Sequence, residues 1–349
     1  MRQYTYMNTS EIEYSNNEIV AVDIQRTGYI TDISCLLQCT VKTAAATVNG
    51  QFPDNMARLI KSARLYSGAT NFFSVNDGRE WFWDTFMHYG GRNLPFIISA
   101  TAKAPGPANP FPSAATTYYL PLRIHLGSQY RNPYDPEVVI PARELSQLKL
   151  EVQWGGDQSD FDSDATPTFA ITSAKLSIMV NEIQLEPGET REAVFPAGTL
   201  SPRMEANTYT PPSTAPSNLA WKTDVPVGDT IVYSLIIVLD NNVRSDSVIT
   251  EVGIEIPKMR EKPWRVDWLD LVSNHKLLFD FPFLNDFGID AAATAHPLGV
   301  ALFPWSYISG KSEGLDLSAF LPGDVKMSFS GTGLNVSQDK LLVVHYMVG

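Results

Sequence analysis

Two stretches of this chain carry the same alternation of apolar and polar positions. In the first, Leu148, Leu150, Val152 and Trp154 fall on one side and Lys149, Glu151 and Gln153 on the other; in the second, Val325, Met327 and Phe329 oppose Lys326, Ser328 and Ser330. Side chains along a strand alternate faces with period two, so both stretches read as half-buried strands, with the serines and charged residues pointing out. The likeness extends upstream. Leu120-Pro121-Leu122 runs into an apolar strand ending at Leu126, then a polar loop and Ile140-Pro141. His296-Pro297-Leu298 runs into a strand ending at Leu302, then a polar loop and Leu315-Asp316-Leu317. Pro121 and Pro297 stand 176 residues apart, as do Gly155 and Gly331, so a whole structural block is repeated.

The same patterning predicts the other elements. Strands are expected over 19–24, 29–43, 59–66, 71–75, 94–102, 117–126 and 169–185, with Ile33, Cys35, Leu37, Cys39 and Val41 on one face of the long second strand. Asp77 caps a short helix, with Glu80 three residues on as in a capping box and Phe82, Phe86 and Tyr89 at helical spacing. Its aromatic content suits a helix pinned on a sheet edge. The order restarts after a stretch rich in proline: strands at 230–239 and 248–256, a helix opened by Pro263 with Trp264, Trp268, Leu271 and Val272 on one side, strands at 276–281 and 340–348. Each half thus supplies about eight strands and one helix. The predicted fold is all-β: two tandem eight-stranded jelly-roll β-sandwiches with short flanking helices. The boundaries are an N-terminal arm at 1–17, polar and ordered only against a neighbour; a first sandwich at 18–186; a Pro-rich linker at 187–217; and a second sandwich at 218–349.

Composition sharpens this. With 349 residues the chain exceeds a single core, and 18% charged residues beside 24 prolines favour strands and shaped loops. The net charge of −12 argues against a surface built to neutralise phosphates, so direct nucleic-acid binding is not expected. The longest apolar run, 231–239, is about half of what a membrane span needs, and the first residues lack the apolar core of a signal peptide; use without signal-directed export is expected.

Candidate chemistry is sparse. Cys35 and Cys39 are too far apart along a strand to pair and read as small buried residues. His88, His125, His275, His296 and His345 are scattered and form no zinc motif. Gly310-Lys311-Ser312 resembles the end of a phosphate loop, but Trp305 stands where its first glycine belongs. Asp157, Asp160, Asp162 and Asp164 are the one dense acidic cluster; hard oxygen ligands at alternate positions suit calcium, while Ala165 and Ile171 break an EF-hand pattern, and the other reading is a solvated loop. No catalytic residue and no cofactor is expected.

Ile24-Gln25-Arg26-Thr27-Gly28-Tyr29-Ile30 is similar to the turn between the first two strands of double jelly-roll major capsid proteins. Ile140-Pro141-Ala142-Arg143-Glu144-Leu145, leading into Leu148 to Trp154, resembles those coats as well. The lineage includes the tectivirus coat protein and the adenovirus hexon. The resemblance implies a structural protein rather than an enzyme, located in the virion capsid after assembly in the host cytoplasm. It also implies a homotrimer that forms a pseudo-hexagonal capsomer, contacts with neighbouring capsomers, minor capsid and vertex proteins, and an internal membrane beneath the shell. Exposed aromatic helices at 81–89 and 264–272 would suit subunit contacts, and the long loops 103–116 and 284–295 would crown the outer end. The alternative function class is a β-sandwich carbohydrate-binding module or glycosidase, for which Glu151 or Glu255 could serve as a carboxylate.

Overall fold

The computed structural model describes residues 2–7, 11–43, 54–89, 115–126, 138–156, 169–195, 198–212, 219–259, 263–279, 299–310, 314–332 and 339–349. These fall into two compact units that divide between Pro202 and Arg203. The expected strand at 94–102, the loops 103–116 and 284–295 (apart from 115–116 of the first), and the aspartates of 157–164 lie outside the described residues.

The first unit contains β1 (Arg2–Met7), β2 (Ile12–Glu13), β3 (Ile19–Asp23), β4 (Tyr29–Thr43), β5 (Ile60–Ser67), β6 (Thr70–Val75), α1 (Gly78–His88), β7 (Thr116–His125), β8 (Lys149–Trp154), β9 (Phe169–Gln184) and the single turn α2 (Arg191–Val194). One sheet has the order β1-β9-β4-β7, with β2 also on β9; the other has the order β3-β8-β5-β6. All pairings of named strands are antiparallel. The alternation decides which face is buried: Ile33, Cys35, Leu37, Cys39 and Val41 of β4 are inside, as are Leu150, Val152 and Trp154 of β8. Burial drives both thiols upward, that of Cys39 to about 12.

The second unit contains β10 (Pro202–Tyr209), β11 (Trp221–Asp224), β12 (Thr230–Asp240), β13 (Val243–Arg244), β14 (Ile249–Glu255), β15 (Trp264–Asp267), α3 (Trp268–Phe279), β16 (Val300–Pro304), α4 (Ser306–Ser309), β17 (Leu315–Asp316), β18 (Lys326–Gly331) and β19 (Lys340–Val348). Its sheets have the orders β10-β19-β12-β13, with β16 and β17 also on β12, and β11-β18-β14-β15. The repeat is now topological. β9-β4-β7 corresponds to β19-β12-β16, and β3-β8-β5-β6 to β11-β18-β14-β15, with a helix following the fourth strand of each set. Seven of the eight strands expected per half are matched in this way. In the second unit a single apolar cluster joins both sheets to the helix, with Ile236, Val238 and Val343 from one sheet, Val252 and Phe329 from the other, and Trp268 and Leu271 from α3.

Helix α1 begins as its sequence demands. Asp77 Oδ1 accepts the Arg79 N–H at 2.9 Å while Glu80 Oε2 accepts the N–H of Asn76 and Asp77, a closed capping box. The helix lies on the edge of β7. Trp81 Nε1 donates to Arg123 O at 2.9 Å, and the Arg123 N–H donates to Thr85 Oγ at 3.0 Å, so side chains of the helix satisfy edge groups that a neighbouring strand would otherwise take. At Pro121 the edge offers no donor at all. Trp83 Nε1 donates to Asp54 at 2.8 Å, and Trp268 Nε1 donates to Asp246 at 2.9 Å in the second unit.

Several expectations need correction. Trp81, Phe82, Trp83 and Phe86 are fully buried inside the first unit, so α1 is no exposed contact helix; its aromatic surface is used in closing the sandwich. In the second unit Trp264 belongs to β15, paired with β14, and the helix begins at Trp268, because Asp267 can accept the Leu269 N–H at 2.9 Å as a cap. The helix runs on to Phe279, so most of the strand expected at 276–281 is helical. Ser328 and Ser330 are buried because Leu219 lies over them, its N–H donating to Ser330 Oγ at 2.6 Å. Residues 2–7, read as part of a free arm, form the edge strand β1, with Arg2 to Met7 in register with Gln184 to Met179. The segment 187–217 holds α2 and β10, and the division between units falls inside it.

Two measurements follow from this packing. A Cβ on Gly78 would lie 1.8 Å from Ala57 O and 2.8 Å from Ile60 O, both backbone atoms, so Gly78→Ala should destabilise the chain by about 1–3 kcal/mol in urea unfolding; an unchanged midpoint would contradict the packing of α1. In the second unit Trp305 Nε1 donates to Ser234 Oγ at 2.8 Å, and the Ser234 hydroxyl and His345 Nδ1 share a hydrogen bond of 2.8 Å. Burial holds the His345 imidazolium down to about pH 3. The unfolded chain takes that proton near pH 6.5, so stability is complete above about 6.5 and is lost as pH falls, by about 1.4 kcal/mol per unit. His345→Gln should flatten the decline between pH 6.5 and 4.5 by that slope, and an identical decline would refute the assignment.

Candidate functional site

The two segments that carry the capsid resemblance, far apart in sequence, meet in the first unit. Ile30 and Ile140 exchange both backbone hydrogen bonds, at 2.8 and 2.9 Å, and the Arg143 N–H donates to Gly28 O at 3.1 Å. The Tyr29 hydroxyl donates to Glu144 at 2.9 Å, and Arg26 reaches Leu145 O. Burial and the Glu144 carboxylate push the Tyr29 phenol up. Gly28 is required here by close approach, since a Cβ would sit 2.4 Å from Ile183 O. Tyr29, Val139, Ile183 and Phe195 form a small apolar cluster beneath this junction, with the Tyr29 and Phe195 ring centroids 5.0 Å apart. The junction ties the entry of β4 to the lead into β8, and so one sheet to the other. Its chemistry is that of a clasp.

A second constellation lies where α1 meets β7. Asp32, fully buried on β4, accepts from Arg123 at 2.8–3.0 Å and from Asn181 at 2.8 Å, and the Arg123 guanidinium lies 4.9 Å from the Tyr89 ring centre. Beside it runs a groove of about 390 Å³, walled mainly by Leu36, Tyr89, Pro121, Leu122, Arg123 and Met179. The walls are apolar apart from Arg123 and a few hydroxyls. Of those hydroxyls, Ser34 donates to Asp32 at 3.4 Å, and Asp32 is already held by Arg123 and Asn181.

At the helix start, burial and the neighbouring Asp77 hold Glu80 well above the usual carboxylate range, while Arg79 keeps Asp77 low against the cost of burial. At its end, His88 and His125 lie with ring centroids 3.4 Å apart, both buried. No sequence signal pairs these two, since one ends a helix and the other a strand.

The sequence-nominated residues separate. Asp157, Asp160, Asp162 and Asp164 lie outside the described residues, and among those described no three His, Cys, Asp or Glu side chains are arranged to hold a metal ion. Glu151 is engaged by Arg64 at 2.7 Å in the first unit and Glu255 by Lys222 at 2.9 Å in the second, each an ion pair on a sheet face. Trp305 at the start of the Gly310-Lys311-Ser312 stretch is buried in the second core. No helix among the described residues is long and apolar enough to cross a membrane.

No protein-family model matches the sequence, and no curated protein matches it. Solved structures do match in shape. The chain is similar to the major capsid protein of Sulfolobus turreted icosahedral virus at 15% identity and a TM-score of 0.70, covering 100% of this chain and 96% of that one. It is similar to the Faustovirus major capsid protein at 8% identity and a TM-score of 0.57, covering 100% and 90%. It is similar to the major capsid protein P2 from bacteriophage PM2 at 10% identity and a TM-score of 0.53, covering 100% and 98%. Those proteins are double jelly rolls, and the likeness runs the whole length of this chain: its fold is the double jelly roll.

Proposed function

We propose that this chain is a major capsid protein whose homotrimers form the pseudo-hexagonal capsomers of an icosahedral shell. The observation that carries the reading is the repeat of sheet order in both units, in a chain that spans nearly all of the length of the capsid proteins it resembles in fold. Two similar sandwiches in each of three subunits give near-sixfold edges that tile a surface, which calls for broad subunit contacts rather than a reactive pocket. The protein is accordingly a structural component of the virion and not an enzyme. Its partners are its own copies, neighbouring capsomers and minor capsid or vertex proteins, with an internal membrane beneath; assembly takes place in the host cytoplasm. Residues 18–186 and 218–349 hold the bulk of the two sandwiches, with β1 and β2 extending a sheet of the first and β10 a sheet of the second. The carbohydrate-active alternative loses ground because Glu151 and Glu255 are each tied up by a basic side chain.

Light scattering of the purified protein at micromolar concentration, neutral pH and moderate salt should give three times the 38.6 kDa chain mass. A monomer across that range would count against the reading. A short tag inserted near Ala108 should leave the trimer intact and be reached by antibody on assembled particles; binding to free protein alone would reverse the orientation assigned to that loop.

A further inference from the structure

The outward face of the β1-β9-β4-β7 sheet carries a buried carboxylate oxygen that has no donor. Along β4 the side chains of Asp32, Ser34 and Leu36 alternate with the core residues Ile33, Cys35 and Leu37, and so share the outward face. The register adds their neighbours. Asn181 stands beside Asp32, Met179 and Arg123 flank Ser34, and Ser177 and Pro121 flank Leu36. The last two of these rows, with Tyr89 from the end of α1, wall the groove of about 390 Å³, and the Asp32 row comes next along the strands.

Asp32 is fully buried, and all of its donors meet one oxygen. Oδ1 accepts from Arg123 Nε at 3.0 Å, from Asn181 Nδ2 at 2.8 Å and from Ser34 at 3.4 Å, whereas Oδ2 accepts no hydrogen bond among the described residues. A buried carboxylate oxygen without a donor is costly. The hydroxyls of the groove are committed elsewhere: Ser34 to Oδ1, Ser177 to Glu11 at 3.0 Å and Thr85 to Trp81 O at 2.9 Å. A water at Oδ2 would want about two to four polar partners, and the groove gives it mainly apolar ones. What fits is one O–H donor carried on an apolar body. The charges agree. Asp32 and Arg123 offset each other at 2.8 Å, as do Glu11 and Lys175 beyond Ser177, so the site favours an uncharged head. Met179 is 41% exposed and leaves the groove open to entry, and the volume is that of a small-molecule site.

We propose that this groove binds an uncharged aliphatic alcohol, whose chain lies over Leu36, Pro121 and Met179 and whose hydroxyl donates to Asp32 Oδ2. The site belongs to the first unit alone and does not rest on the capsid reading.

The test is a titration of the full-length protein, labelled with carbon-13 at the methionine methyl groups, with decanol as the probe. The Met179 methyl resonance should shift saturably, while that of Met347 in the second core stays in place. Decyl methyl ether has the same tail and no donor, and should bind about tenfold more weakly, the weight of one hydrogen bond to a charged acceptor. Decanoate would bring a second carboxylate to Asp32 and should also bind more weakly than the alcohol. Leu36→Trp, on the outward face, should fill the groove and abolish the Met179 shift while leaving Met347 unchanged. Equal affinity for alcohol and ether, or tighter binding of decanoate, overturns the proposal, as does a Met179 resonance that decanol never moves or that it moves equally in Leu36→Trp. A Met179 resonance that follows protein concentration and not decanol makes the groove a contact between copies and likewise overturns it. If Leu36→Trp fails to fold, the ratio of alcohol to ether affinity in the wild type decides.

Discussion

A β-sandwich has open sheet edges, and among the described strands the edge of β7 is one place where the first unit must either be closed or invite a foreign strand. The chain closes it with α1. Trp81 and Thr85 take the backbone groups of Arg123, Pro121 removes a donor, and Asp32 fixes the Arg123 side chain from the next strand. The helix can lie there only because Gly78 lets its first turn touch the backbone of Ala57 and Ile60. The aromatic rings on its other sides then fill the sandwich. The second unit repeats the device with α3, whose Trp268 is held by Asp246 as Trp83 is held by Asp54.

This dependence explains what was legible in the sequence. Where one face of a strand meets the core and the other meets solvent, alternation reports burial directly, and β4 and β8 were readable to the residue. The capping box of α1 was equally plain, since its signal is local. Where both faces are covered, alternation carries no information about exposure. Ser328 and Ser330 look solvent-facing, yet Leu219 covers them, and the apolar run of β12 is buried on both sides. Trp264 fitted a helical stripe because four residues separate it from Trp268, but pairing with β14 outweighed that spacing.

The candidate site was legible only in part. Both segments of the Tyr29 and Glu144 clasp could be picked out singly, while their contact depends on the closure of the two sheets and leaves no trace in either segment. The same holds for the rings of His88 and His125, which topology alone brings together. Residues 2–7 looked too polar to fold; their pairing comes from β9, whose edge away from β4 offers Met179 to Gln184 as a template.

On the proposed function, shape is what the chain supplies: one sandwich, used twice, would let three chains present six similar lobes. Electron cryo-microscopy of the purified full-length protein tests this most directly. The prediction is a particle with threefold symmetry and a near-sixfold outline, with two sandwiches of the same sheet order fitting each third. Single chains in isolation, or a twofold particle in which the two units make unlike contacts, would contradict it.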